Sequence, residues 1–248
     1  KGRIDKIRPF FLPFSCGMLG KKRTGNGRED FVDKWVIWDF NGTIIDDVDL
    51  CLTIINNMLR RRDLPLLSLN EYQNVFDFPV RNYYRQVGFD MDREPFPRLA
   101  AEYMDHYQPA SFSCPLRKNI VGVLDDLAGR GYRQILLSAT KHDFLLRQLA
   151  HYGLIGCFDP ILGLDDIYGR SKSEMAADWF QQAGLDPEKG VLVGDTVHDQ
   201  SVAQTLHCRA VLLAGGHNSR ERLAATGSPV VDQPDGLLAD PWFRQENG

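Results

Sequence analysis

Short apolar runs that end near a small or acidic residue recur along the chain, separated by longer segments with helical spacing of apolar residues. Such short runs are typical of buried strands. The four runs are residues 35–38, 134–137, 191–193 and 210–213. Between them, apolar positions such as Ile120, Val123 and Leu124 repeat every three or four residues and predict helices. Alternating strands and helices predict an α/β protein with a parallel sheet covered on both faces.

Polar residues that follow three of these runs are candidates for a shared site. Asp39, Ser138 and Asp195 each lie just beyond a predicted strand. Parallel sheets bind ligands in the crevice beyond the carboxyl ends of their strands. We therefore expect these three side chains to converge.

One interval is too long for a single crossover helix, because about a hundred residues separate Asp39 from Ser138. Within it, four stretches have apolar residues at helix-like intervals and are separated by proline and glycine. The predicted helices are residues 49–62, 70–75, 79–87 and 97–106. The pattern predicts a small all-helical insert over residues 48–114.

Composition and charge narrow the class of protein. The chain has 248 residues, 43% of them hydrophobic and 25% charged, which suffices for one large domain with an insert. A net charge of -4 and a pI near 5.9 argue against a nucleic-acid-binding protein, which would present a basic surface. No apolar run approaches the roughly 18 residues of a membrane span. We therefore expect a cytoplasmic protein with a small-molecule partner and with neither nucleic-acid nor membrane partners.

Cysteine spacing and the first residues add two expectations. The five cysteines are scattered, and no two form a Cys-x-x-Cys pair. This pattern fits neither a disulfide framework nor a zinc cluster and favours a reducing compartment. Residues 1–30 mix a basic stretch with a short aromatic patch, and we expect a poorly ordered N-terminal extension there.

Acidic residues after two predicted strands are the strongest candidates for chemistry. Asp39 precedes a turn at Gly42, and backbone N–H groups in such a turn can bind an anion. Asp195 and Asp199 follow the third strand at the entrance of the next helix. Carboxylates gathered in one crevice repel each other and need a hard, oxygen-binding cation such as Mg²⁺. The pattern predicts a magnesium site among these carboxylates.

If a carboxylate of this cluster acts as a nucleophile toward a phosphate, it also needs positive charge and hydrogen-bond donors nearby, because the phosphate is negatively charged as well. Ser138 can supply a hydroxyl, and Lys172, just ahead of a predicted helix, can supply the cation. Lys141 is an alternative cation, since it lies three residues after Ser138. The loop 215–218 is expected to line the crevice, with His217 as a turn residue.

Four segments in a fixed order carry a family resemblance. They are Asp39-Phe40-Asn41-Gly42-Thr43, the strand-terminal Ser138, Lys172 before a helix, and Gly194-Asp195 with Asp199 four residues later. In this order they resemble the four motifs of the haloacid dehalogenase superfamily, over about residues 32–223. The insert resembles the C1 type of cap, as in phosphoglycolate phosphatases and beta-phosphoglucomutases. The resemblance implies a Rossmann-like, doubly wound core over residues 31–47 and 115–248, with a cap over residues 48–114.

The resemblance also implies a role for each motif residue. Asp39 would attack phosphorus and form an aspartyl phosphate that water then hydrolyses. The carboxylates of Asp39 and Asp195 and the backbone carbonyl of Asn41 would bind Mg²⁺. Asp199 would support the metal site, and Lys172 would neutralise charge. The implied phosphate-binding residues are Asp39, Asn41, Gly42, Thr43, Ser138, Ala139 and Lys172.

Substrate selection would fall to the cap loop at residues 76–81, which the resemblance places over the crevice. Phe78 and Arg81 are its candidate specificity residues, and a guanidinium such as that of Arg81 can bind a second carboxylate or phosphate of the substrate. The resemblance implies a Mg²⁺-dependent phosphatase that acts on a small phosphorylated metabolite and is similar to phosphoglycolate phosphatases.

Position 41 departs from the family pattern. Most phosphatases of the superfamily have an aspartate there, which protonates the leaving oxygen and later activates water, whereas this chain has Asn41. A carboxamide cannot shuttle a proton near neutral pH, so an acid-base contribution of about 10²–10⁴-fold should be missing or supplied elsewhere. Asn41→Asp is then expected to raise turnover of alkyl phosphates more than that of aryl phosphates. An engineered replacement of aspartate is a further alternative at this position.

Three interpretations follow from Asn41. The protein can be a slowed phosphatase that acts best on substrates with good leaving groups, such as acyl or aryl phosphates. It can form an aspartyl phosphate and discharge it slowly, as would suit a phosphotransferase, a mutase or a regulatory phosphorylated state. It can also be a non-catalytic module that binds Mg²⁺ and a phosphorylated ligand. The intact Asp39, Asp195 and Lys172 favour chemistry over binding alone.

Overall fold

Six parallel strands form the central sheet in the part of the chain that the structure describes, residues 34–164 and 172–244. The structure is a computed structural model. The strands are β1 (Trp35–Trp38), β2 (Arg133–Lys141), β3 (Ile161–Leu164), β4 (Gly190–Gly194), β5 (Arg209–Leu213) and β6 (Val230–Val231). Their spatial order is β3-β2-β1-β4-β5-β6, and all neighbours are parallel. The predicted α/β, Rossmann-like doubly wound fold is confirmed.

Helices connect these strands and form the insert. Between β1 and β2 lie α1 (Val48–Arg60), α2 (Leu69–Val75), α3 (Val80–Gln86), α4 (Phe96–Ser111) and α5 (Ile120–Gly129). The later connections contain α6 (His142–Tyr152), α7 (Lys172–Ala183), α8 (Val197–Thr205) and α9 (Arg220–Ala224). Strand-helix alternation after β2 keeps all strands parallel.

Two hydrophobic clusters cover the two faces of the sheet. Side chains of β1 alternate between them: Val36 and Trp38 belong to one cluster, and Trp35 and Ile37 to the other. α5 packs on the first face, whereas α7 and α8 pack on the second. All four residues of β1 are buried, as expected for a central strand covered on both sides.

The insert has a hydrophobic core of its own, to which α1, α2, α3 and α4 all contribute buried residues. The predicted helices of the insert therefore all appear, but α4 continues to Ser111, five residues beyond its predicted end. Tyr107 and Ser111 are buried one turn apart on the same face, so packing extends the helix past Pro109. Phe144 of α6 joins the same cluster. The domain limits at residues 48–114 stay a prediction.

The sequence pattern does not predict β3 or β6. β3 has only four residues and includes Gly163, and β6 has two residues. Such short segments give no apolar run that can be distinguished from a loop. Both strands lie at the edges of the sheet, so the four central strands, which position the site, are the predicted ones.

Other sequence expectations concern the ends of the chain and its cysteines. The predicted N-terminal extension at residues 1–30 lies outside the described residues. Within the described ranges, no helix combines the length and apolar character needed to span a membrane. Cys51, Cys114 and Cys208 are free thiols.

Candidate active site

Three acidic side chains meet at the carboxyl edge of the sheet. β1 and β4 are parallel neighbours, so Asp39 and Asp195, which follow them, lie side by side. Asp199 joins them from the first turn of α8. One carboxylate oxygen of each of the three residues lies within 4.8 Å of the others, and all three residues are buried. The structure thus brings together the carboxylates that the sequence singles out.

Lys172 places its ammonium group between two of these carboxylates. Its Nζ donates hydrogen bonds to Asp39 Oδ1 and to Asp199 Oδ1, the latter at 2.7 Å. Burial lowers the pKa of Lys172, but the two carboxylates more than offset this and raise it above its usual value. The alternative cation, Lys141, is exposed at the end of β2. Lys172 is therefore the lysine that the fold brings to Asp39.

Burial and mutual repulsion disturb the acidity of the carboxylates. Burial raises the pKa of Asp39 to about 8, the neighbouring carboxylates add to the rise, and Lys172 offsets only part of it. Burial likewise raises the pKa of Asp195 to about 6, despite attraction to His217. Burial acts in the same direction on Asp199, but Lys172 outweighs it and holds the pKa of Asp199 below its usual value. The cluster thus carries more negative charge than one lysine balances.

The same cluster offers the ligands that a hard divalent cation requires. Mg²⁺ prefers oxygen ligands, and the carboxylates of Asp39 and Asp195 supply them close together. A divalent cation would also relieve the repulsion that contributes to both raised pKa values. These residues therefore fit a magnesium ion. The backbone carbonyl of Asn41 stays the third predicted ligand.

Asp195 is held by the loop after β1 and by the loop after β5. The hydroxyl of Thr43 donates to Asp195 Oδ1 at 2.8 Å, and the backbone N–H of His217 donates to Oδ2 at 2.6 Å. Gly42 has a φ of +74°, and a Cβ there would lie 2.2 Å from Asp195 Oδ2, so glycine is required. The hydroxyl of Thr43 therefore positions Asp195. Phosphate binding by Gly42 and Thr43 stays a prediction.

Ser138 and Ala139 lie inside β2 and not beyond it, which corrects the predicted strand end. β2 runs to Lys141, and its regular pairing with β3 extends to Leu137 before the register shifts. The strand thus continues past its apolar run through an irregular segment. The hydroxyl of the buried Ser138 accepts a hydrogen bond from the backbone N–H of Thr140 at 3.1 Å. Contact of Ser138 and Ala139 with a phosphate stays a prediction.

Asn41 belongs to a hydrogen-bond network that the sequence pattern does not predict. Its Nδ2 donates to Asp47 Oδ2 at 2.9 Å and to the hydroxyl of Tyr107 at 2.6 Å. Its Oδ1 accepts from the hydroxyl of Thr140 at 2.9 Å. Asp47 Oδ1 also accepts from the backbone N–H of Gly42 at 2.9 Å. Both polar atoms of the Asn41 side chain therefore have hydrogen-bond partners within the protein.

A buried ion pair lies beside this network. His217 Nε2 lies 3.2 Å from Asp47 Oδ1, and His217 Nδ1 lies 2.8 Å from the hydroxyl of Tyr72. Burial lowers the pKa of His217, but the charges of Asp47 and Asp195 outweigh burial and raise it to about 9. Burial raises the pKa of Asp47, but His217 and its other donors hold it below its usual value. His217 lies in the predicted turn, yet its side chain is part of the site.

Asp47, Tyr107 and Thr140 are the site residues that the sequence pattern misses. Asp47 stands directly before α1, where an acidic residue is an ordinary helix cap, but its side chain makes no capping bond. Tyr107 lies sixty residues away in α4. The sequence offers one clue to this network: an asparagine at position 41, where the family pattern has an aspartate, occurs together with an aspartate at position 47.

The cap loop meets the core beside the carboxylates. Phe78 stacks on His198, the residue before Asp199, with ring centroids 4.8 Å apart. The backbone carbonyl of Phe76 accepts a hydrogen bond from Arg222 Nη1 at 2.7 Å. Arg81, the other predicted specificity residue, is exposed in the first turn of α3.

Several known proteins resemble this chain in sequence. The family model for haloacid dehalogenase-like hydrolases matches residues 36–213. Phosphoglycolate phosphatase from Aliivibrio fischeri is 24% identical over 218 residues, which cover 84% of this chain and 93% of that protein. Tyrosine-protein kinase PtkA from Mycobacterium bovis is 24% identical over 198 residues, which cover 79% of this chain and 67% of that protein.

Solved structures agree at the level of the fold. A haloacid dehalogenase-like hydrolase from Streptococcus pneumoniae superposes with a TM-score of 0.72 at 16% identity, covering 85% of this chain and 98% of that one. A predicted phosphoglycolate phosphatase from Haemophilus somnus gives a TM-score of 0.66 at 20% identity, covering 86% and 99% respectively. Because the family model also spans well over half of the sequence, the chain belongs to the haloacid dehalogenase-like hydrolases.

Proposed function

We propose that this protein is a Mg²⁺-dependent phosphatase that hydrolyses a small phosphorylated metabolite through an aspartyl phosphate on Asp39. The observation that carries the proposal is the ammonium of Lys172 between Asp39 and Asp199, with Asp195 alongside. A nucleophilic carboxylate needs such compensation before it can approach a phosphate dianion. Relatives named phosphoglycolate phosphatase support a small substrate of that kind.

The chemistry divides into two displacements at phosphorus. A carboxylate oxygen of Asp39 forms a bond to phosphorus while the bond from phosphorus to the ester oxygen breaks, and the leaving group departs with that electron pair. Water then attacks the phosphorus of the aspartyl phosphate, inorganic phosphate is released, and Asp39 is restored. Lys172 keeps its proton throughout, because its two carboxylate partners raise its pKa.

Asp39, Asp195 and the backbone carbonyl of Asn41 would hold the magnesium ion. When bound, Mg²⁺ supplies charge neutralisation for the phosphoryl oxygens and for the carboxylates. Thr43 and His217 contribute by keeping the Asp195 carboxylate in place. Asp199 supports the site by fixing Lys172.

The side chain at position 41 sets the preferred leaving group. Both N–H bonds of the Asn41 carboxamide are engaged by Asp47 and Tyr107, so the side chain does not protonate the departing oxygen. Substrates whose leaving groups are stable as anions, such as acyl and aryl phosphates, are therefore preferred over alkyl phosphates.

The experiment is a phosphate-release assay on a panel of phosphorylated metabolites and p-nitrophenyl phosphate, with Mg²⁺ and with excess EDTA. We expect removal of the metal to lower the rate by about 10²-fold or more, since it supplies several kcal/mol of charge stabilisation. Release that is unchanged by EDTA, or absent for every compound, would contradict the proposal.

A second candidate function is phosphoryl transfer from a long-lived aspartyl phosphate. The engaged carboxamide of Asn41 favours it, because water activation in the second step lacks a base at that position. One relative, named as a tyrosine-protein kinase, also fits a transfer reaction. A burst of p-nitrophenol equal to the enzyme concentration, followed by slow turnover, would favour this candidate over rapid hydrolysis.

The cap residues give a prediction about substrate choice. Phe78→Ala removes the ring that stacks on His198 beside Asp199, and we expect it to raise KM for the best substrate about tenfold with a smaller change in kcat. Arg81→Ala is expected to raise KM only for substrates with a second anionic group. Steady-state kinetics on matched substrates with and without a carboxylate check both, and equal effects on the two substrates would exclude Arg81 as a specificity residue.

A further inference from the structure

Asp47 is a buried carboxylate without a role in the proposed mechanism. It is 1% exposed, and both of its oxygens accept hydrogen bonds. One donor, Cys51 Sγ, lies within α1 at 3.7 Å from Oδ2. The other donors are Gly42 N and His217 Nε2 on Oδ1, and Asn41 Nδ2 and Tyr107 Oη on Oδ2. They come from the loop after β1, from α4 of the cap and from the loop after β5. Asp47 therefore joins the cap to the two loops that hold Asp39 and Asp195.

The carboxylate of Asp47 dictates how the Asn41 side chain is oriented. An ionised carboxylate only accepts hydrogen bonds, so the carboxamide must present its NH₂ group to Asp47. The opposite atom, Asn41 Oδ1, then faces the hydroxyl of Thr140, which donates to it at 2.9 Å. Both ends of the carboxamide, the NH₂ group and the oxygen, therefore face complementary partners.

An aspartate at position 41 would not fit this arrangement. It would present an acceptor oxygen where Asn41 Nδ2 now lies, 2.9 Å from Asp47 Oδ2. Two carboxylates at that distance repel each other, and the hydroxyl of Tyr107, which lies 2.6 Å from both atoms, has one proton and can donate to only one of them. The carboxyl group that the family pattern places at position 41 is therefore incompatible with the one that this chain has at position 47.

We propose that Asp47 is a positioning residue that requires a carboxamide at position 41 and, through the N–H of Gly42, fixes the loop that carries the nucleophile. The pairing itself does not depend on the proposed function, whereas its effect on turnover does. The sequence alone predicts that Asn41→Asp raises turnover of alkyl phosphates more than that of aryl phosphates, whereas the pairing predicts that the single substitution impairs the protein unless position 47 is changed with it.

Thermal unfolding of a four-member cycle tests the pairing without any assay of activity. The members are the natural chain, Asn41→Asp, Asp47→Asn, and the double variant. We expect Asn41→Asp to lower the unfolding midpoint by about 10 °C, because it places a second carboxylate next to the buried carboxylate of Asp47. The double variant, in which the carboxylate and carboxamide exchange places, should lose less than half of the sum of the two single losses.

Asp46→Asn provides the matched control, because it removes the same charge from the exposed neighbour of Asp47. When Asp46→Asn is combined with Asn41→Asp, the decrease in unfolding midpoint should equal the sum of the decreases in the two single variants. Additive losses in the Asp47 cycle as well, or no loss on Asn41→Asp, would overturn the pairing.

Kinetics separate positioning from a purely structural role. With p-nitrophenyl phosphate, saturating Mg²⁺ and a temperature well below every unfolding midpoint, Asp47→Asn should lower kcat at least about tenfold and leave KM within about twofold. An unchanged kcat, or a single Asn41→Asp variant that is faster than the natural chain on alkyl phosphates, would overturn the positioning role. If the natural chain releases no phosphate, the proposed function fails, and the unfolding cycle alone decides the pairing.

Discussion

Replacement of Asp39 by asparagine is expected to lower kcat for phosphate release by about 10⁴-fold or more, because the amide cannot form the bond to phosphorus. The loss should occur without unfolding. An amide of the same shape keeps an oxygen that can accept the hydrogen bond from Lys172 and removes one of three neighbouring buried carboxylates, so it should be tolerated. Kinetics at saturating Mg²⁺, together with the unfolding midpoint, check both statements.

The control for this prediction is Asp46→Asn, which makes the same chemical change at an exposed position in the same loop. Its kcat should stay within about twofold of the natural value, as expected for a surface substitution. Residual activity of Asp39→Asn above about one per cent would indicate that another group attacks phosphorus.

Replacement of Lys172 by methionine should cause the largest loss of stability. The change leaves the buried carboxylates of Asp39 and Asp199 without their shared cation, and breaking a buried pair in this way costs about 3–5 kcal/mol. The free energy of unfolding, measured by urea denaturation at pH 7, checks the value. Turnover should fall as well, since nothing then neutralises the approach of Asp39 to phosphate.

Lys141→Met is the matched control, because Lys141 lies at the carboxyl end of β2, near the site, but is exposed. It should change the free energy of unfolding by no more than about 0.5 kcal/mol. A loss below about 1 kcal/mol for Lys172→Met would mean that Asp39 and Asp199 do not rely on the lysine for compensation.

The central strands and the carboxylate cluster are predictable from the sequence for one physical reason. Buried parallel strands are apolar throughout, and the residues just beyond them must meet at one edge of the sheet. Asp39, Asp195 and Asp199 follow from this rule. The prediction that Lys172 belongs to the site depends on the family resemblance as well, since a lysine before a helix is ordinarily a surface residue.

The hydrogen-bond network around Asn41 could not be predicted in this way. Its members are brought together only when the cap folds onto the core, and they carry no local periodicity. Tyr107 and Asp47 are sixty residues apart, and His217 lies 170 residues beyond Asp47. Compared with the family pattern alone, Asn41 therefore indicates only the loss of an acid-base aspartate. In the structure it is half of a matched pair with Asp47.

The most direct measurement is to find where the phosphoryl group becomes attached. A reaction with p-nitrophenyl phosphate and Mg²⁺ is quenched in acid and treated with borohydride, which reduces an acyl phosphate to an alcohol, and the protein is digested for peptide mass spectrometry. If Asp39 is the nucleophile, it is recovered as homoserine only in samples that contained both substrate and metal. Recovery of unmodified Asp39 during active turnover, or modification of a different residue, would contradict the account.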